Sequence, residues 1–170
     1  MPSLLLPFIP DAPSENYWYV LVDCALLKGF YLSLSQIDNL RYKSLFLGTS
    51  EASSAEVGPV LIELKPAIHS SFISTLVTYQ TEYETPIWLQ TPIAFTPLFN
   101  TLRKLLYVEK EDGSQHFFRY YDHQCFAGFW SIASKNPYYI GTLCKTRWAI
   151  WQSSQQHYQY NNDYKIGNHP

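Results

Sequence analysis

Charge is scarce in this chain of 170 residues. Asp, Glu, Lys and Arg make up 15% of it, against roughly 25% in ordinary globular domains. The 12 basic and 14 acidic residues leave a net charge of −2, and no basic run stands anywhere. Binding phosphate backbones takes clustered Lys and Arg, so no nucleic-acid partner is expected. Cysteine is sparse too. Cys24, Cys125 and Cys144 are widely spaced, odd in number and without a CxxC pair. That excludes a disulfide framework and fits a reducing cytoplasm. There is no GxSxG elbow, no Gly-rich phosphate loop and no HExxH. The hydrolases, nucleotide-binding enzymes and zinc proteases marked by those motifs are therefore not indicated. Long apolar runs are missing as well. Met1–Pro10 is apolar but lacks a basic start and is broken by Pro7 and Pro10. Neither a signal peptide nor a membrane span is expected there.

Aromatic residues are abundant, at 17% of the chain. Tyr and Trp are enriched at interfaces, where a ring is buried and its polar edge is paired, so the excess favours a binding surface. The length suits one domain. Residues 1–16 read as an extended, Pro-rich arm. Tyr17–Val22 is a continuous apolar run, as in a strand covered on both faces. Further strands are expected at 42–47, 60–64 and 86–90. Helices are expected at 50–57, at 69–80 with Phe72, Ile73, Leu76 and Val77 on one stripe, and from Thr96–Pro97 onward. Residues 107–110 and 115–121 flank Asp112–Gly113, the preferred two-residue hairpin turn, in which both residues take positive φ. A helix follows from about His123 to Ile132. Strands alternating with helices predict an α/β domain over 17–137. Its sheet is expected to be mixed and mostly parallel, flanked by helices, with one antiparallel hairpin. Residues 138–170 read as an aromatic C-terminal arm or tail, with 146–151 as a last strand or a docking segment.

Chemistry concentrates in the stretch 111–126. His116, Asp122 and His123 are the residue types of a small hydrolase site, and Arg119 suits an oxyanion. Alternation along a strand separates His116, Phe118 and Tyr120 from Phe117, Arg119 and Tyr121. Asp122 stands where a carboxylate caps a helix. Asp23 closes the first strand and is expected to pair with Arg119, since buried charges need partners. Cys24 reads as a small inert hydrophobe. No catalytic residue, cofactor or metal site is expected.

The ordered segments Tyr19–Ala25, Leu45–Thr49, Val57–Leu64, Leu102–Val108 with Asp112–Gly113, and Phe118–Asp122 resemble the Tap/TEC adaptor family of type VI secretion. The carried signature is Asp23, Gly58, Pro59, Asp112, Gly113, Arg119 and Asp122. Pro-Arg commonly follows the last Asp in that family, whereas His123–Gln124 stand here. Larger members carry a second C-terminal lobe, which the arm after residue 137 would replace. The resemblance implies a non-catalytic cytoplasmic chaperone. It would hold a secreted effector protein and pass it to a VgrG or PAAR spike protein. Candidate anchors for that partner are Trp88, Trp130, Tyr138, Tyr139, Trp148 and Trp151. An immunity-type inhibitor that binds a toxin is the other non-enzymatic alternative.

Overall fold

The structure, a computed structural model, describes residues 6–8 and 16–161. The first strand, β1, is Tyr17–Asp23. Its Trp18, Val20 and Val22 face one side of the sheet, and Tyr19 and Leu21 face the other. Both sets are buried, which is why the run is apolar throughout. A 3₁₀ turn at Cys24–Leu26 leads to α1 (Phe30–Ser33), β2 (Arg41–Ser44) and β3 (Pro59–Leu64). Next come α2 (Ser70–Tyr83), β4 (Ile87–Thr91) and α3 (Phe95–Lys104). The hairpin β5 (Tyr107–Glu109) and β6 (Gln115–Phe117) follows. After it stand α4 (Phe126–Ala133), α5 (Ile140–Leu143), β7 (Arg147–Gln152) and β8 (His157–Tyr160).

Among the described residues, six strands form one sheet in the order β2-β3-β1-β4-β7-β8, and every neighbouring pair is antiparallel. This overturns the expected mostly parallel sheet. The strand-helix alternation is real, but its crossovers skip a strand. β1 and β2 run the same way because both pair antiparallel with β3. β3 and β4 run the same way because both pair antiparallel with β1. The connections through α1 and α2 thus join like-directed strands, as in a parallel unit, with an opposed strand filling the gap, whereas the one carrying α3, α4 and α5 joins the antiparallel neighbours β4 and β7. Continuous apolar strands report cover on both faces and say nothing about direction.

That cover comes from two layers. On one face, α3 and α4 bring Phe95, Leu98, Phe99, Leu102, Phe126, Phe129 and Trp130 onto Tyr19, Leu21, Leu61, Leu89 and Trp148. On the other, Phe30 of α1 and Ile73 and Leu76 of α2 pack on Val20, Val22, Ile62 and Trp88. The buried side of α2 repeats as Ile73, Leu76 and Gln80, three and four residues apart. Gln80 is buried because its Oε1 accepts from Trp88 Nε1 at 2.7 Å and from Tyr158 Oη at 2.9 Å.

The expected C-terminal arm is not an arm between 147 and 160. β7 pairs with β4 through Trp88↔Ala149 and Leu89↔Trp148, and β8 pairs with β7. Trp148 is fully buried among Tyr120, Phe126, Phe129 and Trp130. Much of the aromatic excess therefore lies inside the two packed layers. Of the expected N-terminal arm, residues 1–5 and 9–15 lie outside the described residues, as do 162–170 of the tail. Two local expectations also shift. Helix α3 begins at Phe95, so Pro97 sits in its first turn, where a missing N–H costs nothing. In the hairpin only Gly113 takes positive φ, at 79°. Gly113 N donates to Lys110 O, and Lys110 N to Ser114 O. This is a type I turn closed by a glycine bulge, in place of the two-residue turn.

Candidate functional site

Asp23 ends β1 opposite Pro59, the first residue of β3. Its Oδ1 accepts from Ala25 N at 3.0 Å and so caps the 3₁₀ turn. Its Oδ2 accepts from Arg119 Nη2 at 2.7 Å. The Asp23 side chain is 4% exposed and that of Arg119 48%. The expected pair forms, with a buried carboxylate and a half-open guanidinium. Gly58 is also here: Cys24 N donates to its carbonyl at 3.4 Å. A Cβ on Gly58 would stand 2.4 Å from Phe46 Cδ2, so the close approach of that ring requires glycine. Asp23, Gly58, Pro59, Arg119 and Asp122 thus meet at one end of the sheet. Asp112 and Gly113 do not, since they form the exposed hairpin turn.

Strand geometry ends at Phe117. The alternation expected through Tyr121 therefore fails after that point, and both Tyr120 and Tyr121 turn inward. Tyr120 Oη donates to Leu102 O at 2.8 Å, and the Arg119 guanidinium lies 5.7 Å from the Tyr121 ring. Asp122 Oδ1 accepts from Gln124 N at 2.9 Å. That is an Asx turn two residues on. The helix starts later, at Phe126, with Cys125 at its N-cap and no side-chain cap bond. The expected helix cap by Asp122 is corrected accordingly.

A cavity of about 190 Å³ opens here, lined by Asp23, Glu84, Thr85, Arg119, Asp122 and His123 among others. It is smaller than the roughly 300–1,000 Å³ pockets that hold small molecules. Both ring nitrogens of His123 are shut off from water, near the backbone of Pro86 and Trp151. Burial lowers the His123 pKa, against the opposing pull of Glu84 and Asp122. His116 does not line this cavity; it is exposed on β6, 3.2 Å from Ser114 Oγ. Cys24 is buried, and desolvation followed by the Asp23 charge pushes its thiol up to about 12. A thiolate nucleophile is not available there near neutral pH. Among the described residues, no group of three or more His, Cys, Asp and Glu is placed to hold a metal ion.

The partner-anchor candidates divide. Trp88 and Trp148 are fully buried, and Trp130 and Trp151 are 5% exposed. These four are core rings, because β4, β7 and α4 face their side chains into the two packed layers. Tyr139 is half-buried, while Tyr138 is 71% exposed. Tyr138 meets Tyr139 edge-on at 5.0 Å and accepts from Lys104 Nζ at 3.2 Å. Ile132, 68% exposed on α4, and Ile140, at the start of α5, also face solvent. Sequence reasoning passed over both isoleucines. Ile132 carried a usable signal, because it falls off the Phe126, Phe129, Trp130, Ala133 stripe of its helix.

No helix among the described residues is long and apolar enough to cross a membrane. No curated protein matches the chain, and no solved structure does. A family model described as a domain of unknown function, DUF4123, matches residues 18–137. That span takes in β1 to β6, α4 and every residue of the Asp23–Arg119 cleft. The chain belongs to this family, which is known as the Tap/TEC effector adaptor domain of type VI secretion.

Proposed function

We propose that this protein is a non-catalytic cytoplasmic adaptor. It binds a type VI secretion effector and helps load it onto a VgrG or PAAR spike protein. The family match over residues 18–137 carries this reading. The chemistry near the signature agrees with it. Asp23 and Arg119 neutralise each other, Asp122 holds a turn, and Cys24 is locked as a thiol. Asp23, Gly58, Pro59, Arg119 and Asp122 brace a sheet end, and the effector contact lies elsewhere. We assign it to the α4–α5 segment, which exposes Ile132, Tyr138 and Ile140, with Lys104 beside Tyr138. Apolar rings and branched side chains ringed by polar groups are the makings of a protein interface, and one such anchor contributes about 2 kcal/mol.

Co-expression with the effector encoded beside it tests the reading. The two should co-purify, and Tyr138→Ala should weaken the complex about tenfold or more without lowering the melting temperature. Failure to associate when both are folded would end the adaptor reading. Binding to a toxic domain with protection from intoxication would instead point to an immunity protein.

A further inference from the structure

At one end of the α2 face of the sheet, a row of side chains crosses four strands. Trp18 of β1 stands opposite Gln90 of β4, and Gln90 opposite Arg147 of β7. Arg147 Nη1 donates to Gln90 Oε1 at 3.2 Å, and its guanidinium lies 5.5 Å from the ring of Tyr160 on β8. This row forms an aromatic slot with a cation at its centre. The slot is filled by the chain's own Leu6–Pro7–Phe8. Phe8 is 4% exposed. It meets Trp18 edge-on at 5.4 Å, lies 6.4 Å from Tyr160, and has the Arg147 guanidinium 5.2 Å from its ring. Tyr160 Oη donates to Pro7 O at 2.8 Å.

We propose that this slot is a docking site for a partner segment in which an aromatic residue follows proline, and that Leu6–Pro7–Phe8, which bends at Pro7 and Phe8, occupies it as an exchangeable internal ligand. Three physical reasons support it. Proline has no N–H to bury, so a single donor, Tyr160 Oη, satisfies the Pro7 backbone. Proline also fixes its own φ, so a segment carrying it loses less backbone entropy on docking. Finally, one buried ring and one hydrogen bond give a gain comparable to the entropy lost in fixing three residues. Docked and released states therefore lie close in free energy, and an outside segment can compete. Leu6, Pro7, Phe8, Arg147 and Tyr160 lie outside the matched span 18–137, and Trp18 and Gln90 lie inside it. That the outside segment belongs to an effector or spike protein rests on the adaptor reading; the slot does not.

The probe is a fluorescent synthetic peptide with the sequence of residues 3–12, titrated into the full chain by anisotropy. The peptide should bind the Phe8→Ala chain about tenfold more tightly than the wild type, whose slot is already filled. Its binding should vanish when Phe8 of the peptide is replaced by Ala, and weaken when Arg147→Ala is added to the chain. A folded Phe8→Ala chain that ignores the peptide overturns the proposal and makes Leu6–Pro7–Phe8 a fixed clamp. A second measurement does not depend on that variant folding. With 4-fluorophenylalanine at position 8 of the full chain, excess peptide should move the fluorine resonance to its solvent position, saturably. An unmoved resonance also overturns the proposal. A concentration-dependent dimer that Phe8→Ala abolishes would overturn it as well, by giving the slot to a second copy. Because the probe contains no effector, failure here leaves the co-purification test of the adaptor reading intact.

Discussion

Trp148→Ala separates a core tryptophan from a partner anchor. The side chain is fully buried and lies within 6.5 Å of four ring centroids, those of Tyr120, Phe126, Phe129 and Trp130. Truncating a buried Trp to Ala costs about 3–5 kcal/mol through lost transfer energy and the cavity left behind. One feature lowers the expectation. Trp148 Nε1 is buried with no hydrogen-bond partner among the described residues. Removing an unpaired donor returns part of its desolvation cost, so about 3 kcal/mol is the working figure. For a chain of this length each kcal/mol moves the midpoint by roughly 2–4 °C. The melting temperature should therefore fall by roughly 6–12 °C, followed by circular dichroism. Trp148→Phe keeps an aromatic ring and deletes the N–H, so it should cost about 1 kcal/mol, far less than Ala. A Trp148→Ala chain that melts within about 2 °C of wild type, yet binds its effector more weakly, would refute the core placement and restore the C-terminal arm.

Three more outcomes are expected. Gln80→Leu strands the buried Trp88 Nε1–H and removes the acceptor it shares with Tyr158 Oη–H, and should cost about 1–3 kcal/mol, read as a lower urea midpoint. Arg119→Ala should destabilise more than Asp23→Asn, about 3 against about 1 kcal/mol. The first leaves a buried carboxylate unpaired, and the second leaves a half-open guanidinium that water can reach; equal costs would contradict the burial asymmetry. For His123 the folded-state pKa lies below the ordinary 6.5, so the unfolded chain takes up the proton first as pH falls. Stability should drop from about pH 6.5 downward until the folded-state value is passed, and His123→Gln should lessen that slope in urea titrations at pH 7 and 5.

Much of the element order was legible because apolar spacing tracks burial directly. β1 ends at Asp23, and the Ile73–Leu76 stripe of α2 lies within the helix expected there. Strand direction was not legible. An apolar run such as Val20–Val22 looks alike in either direction, and only the order of strands across the sheet decides it. The last two strands were hard for another reason. β7 pairs with β4, some sixty residues earlier, and nothing local to Trp148 announces that neighbour. Gln159 and Tyr160 look like tail residues, yet they pair with Ile150 and Ala149. Within the candidate site, the Asp23–Arg119 pair could be expected because a buried Asp must be neutralised. Gly58 could be noted only as part of a signature, since its reason is a Phe46 ring that packs back onto it from the far end of the same β2–β3 connection.

The pair also gives the polar groups around Arg119 a structural reason. After Phe117 the backbone leaves strand geometry, and two consecutive tyrosines enter the core. A regular strand cannot bury neighbours on one side, because successive side chains alternate. The chain must bend between Phe118 and Asp122, and two turn bonds hold the bend, from Tyr120 N to Phe118 O and from Asp122 N to Arg119 O. Arg119 at its centre cannot follow the tyrosines inward without stranding its charge. Asp23 gives it a fixed partner at the sheet end, 2.7 Å away, while nearly half of its side chain stays in water. Ion pairs of this kind add little net stability but do fix geometry. Here the geometry is the docking of Tyr120 and Tyr121, and behind them α4, onto the sheet. Arg119→Ala should therefore disturb the α4 surface as well as the cleft. On the proposed effector contact, a still-folded Arg119→Ala chain should bind the effector more weakly, and suppressors of that loss should map to α4 rather than to the cleft.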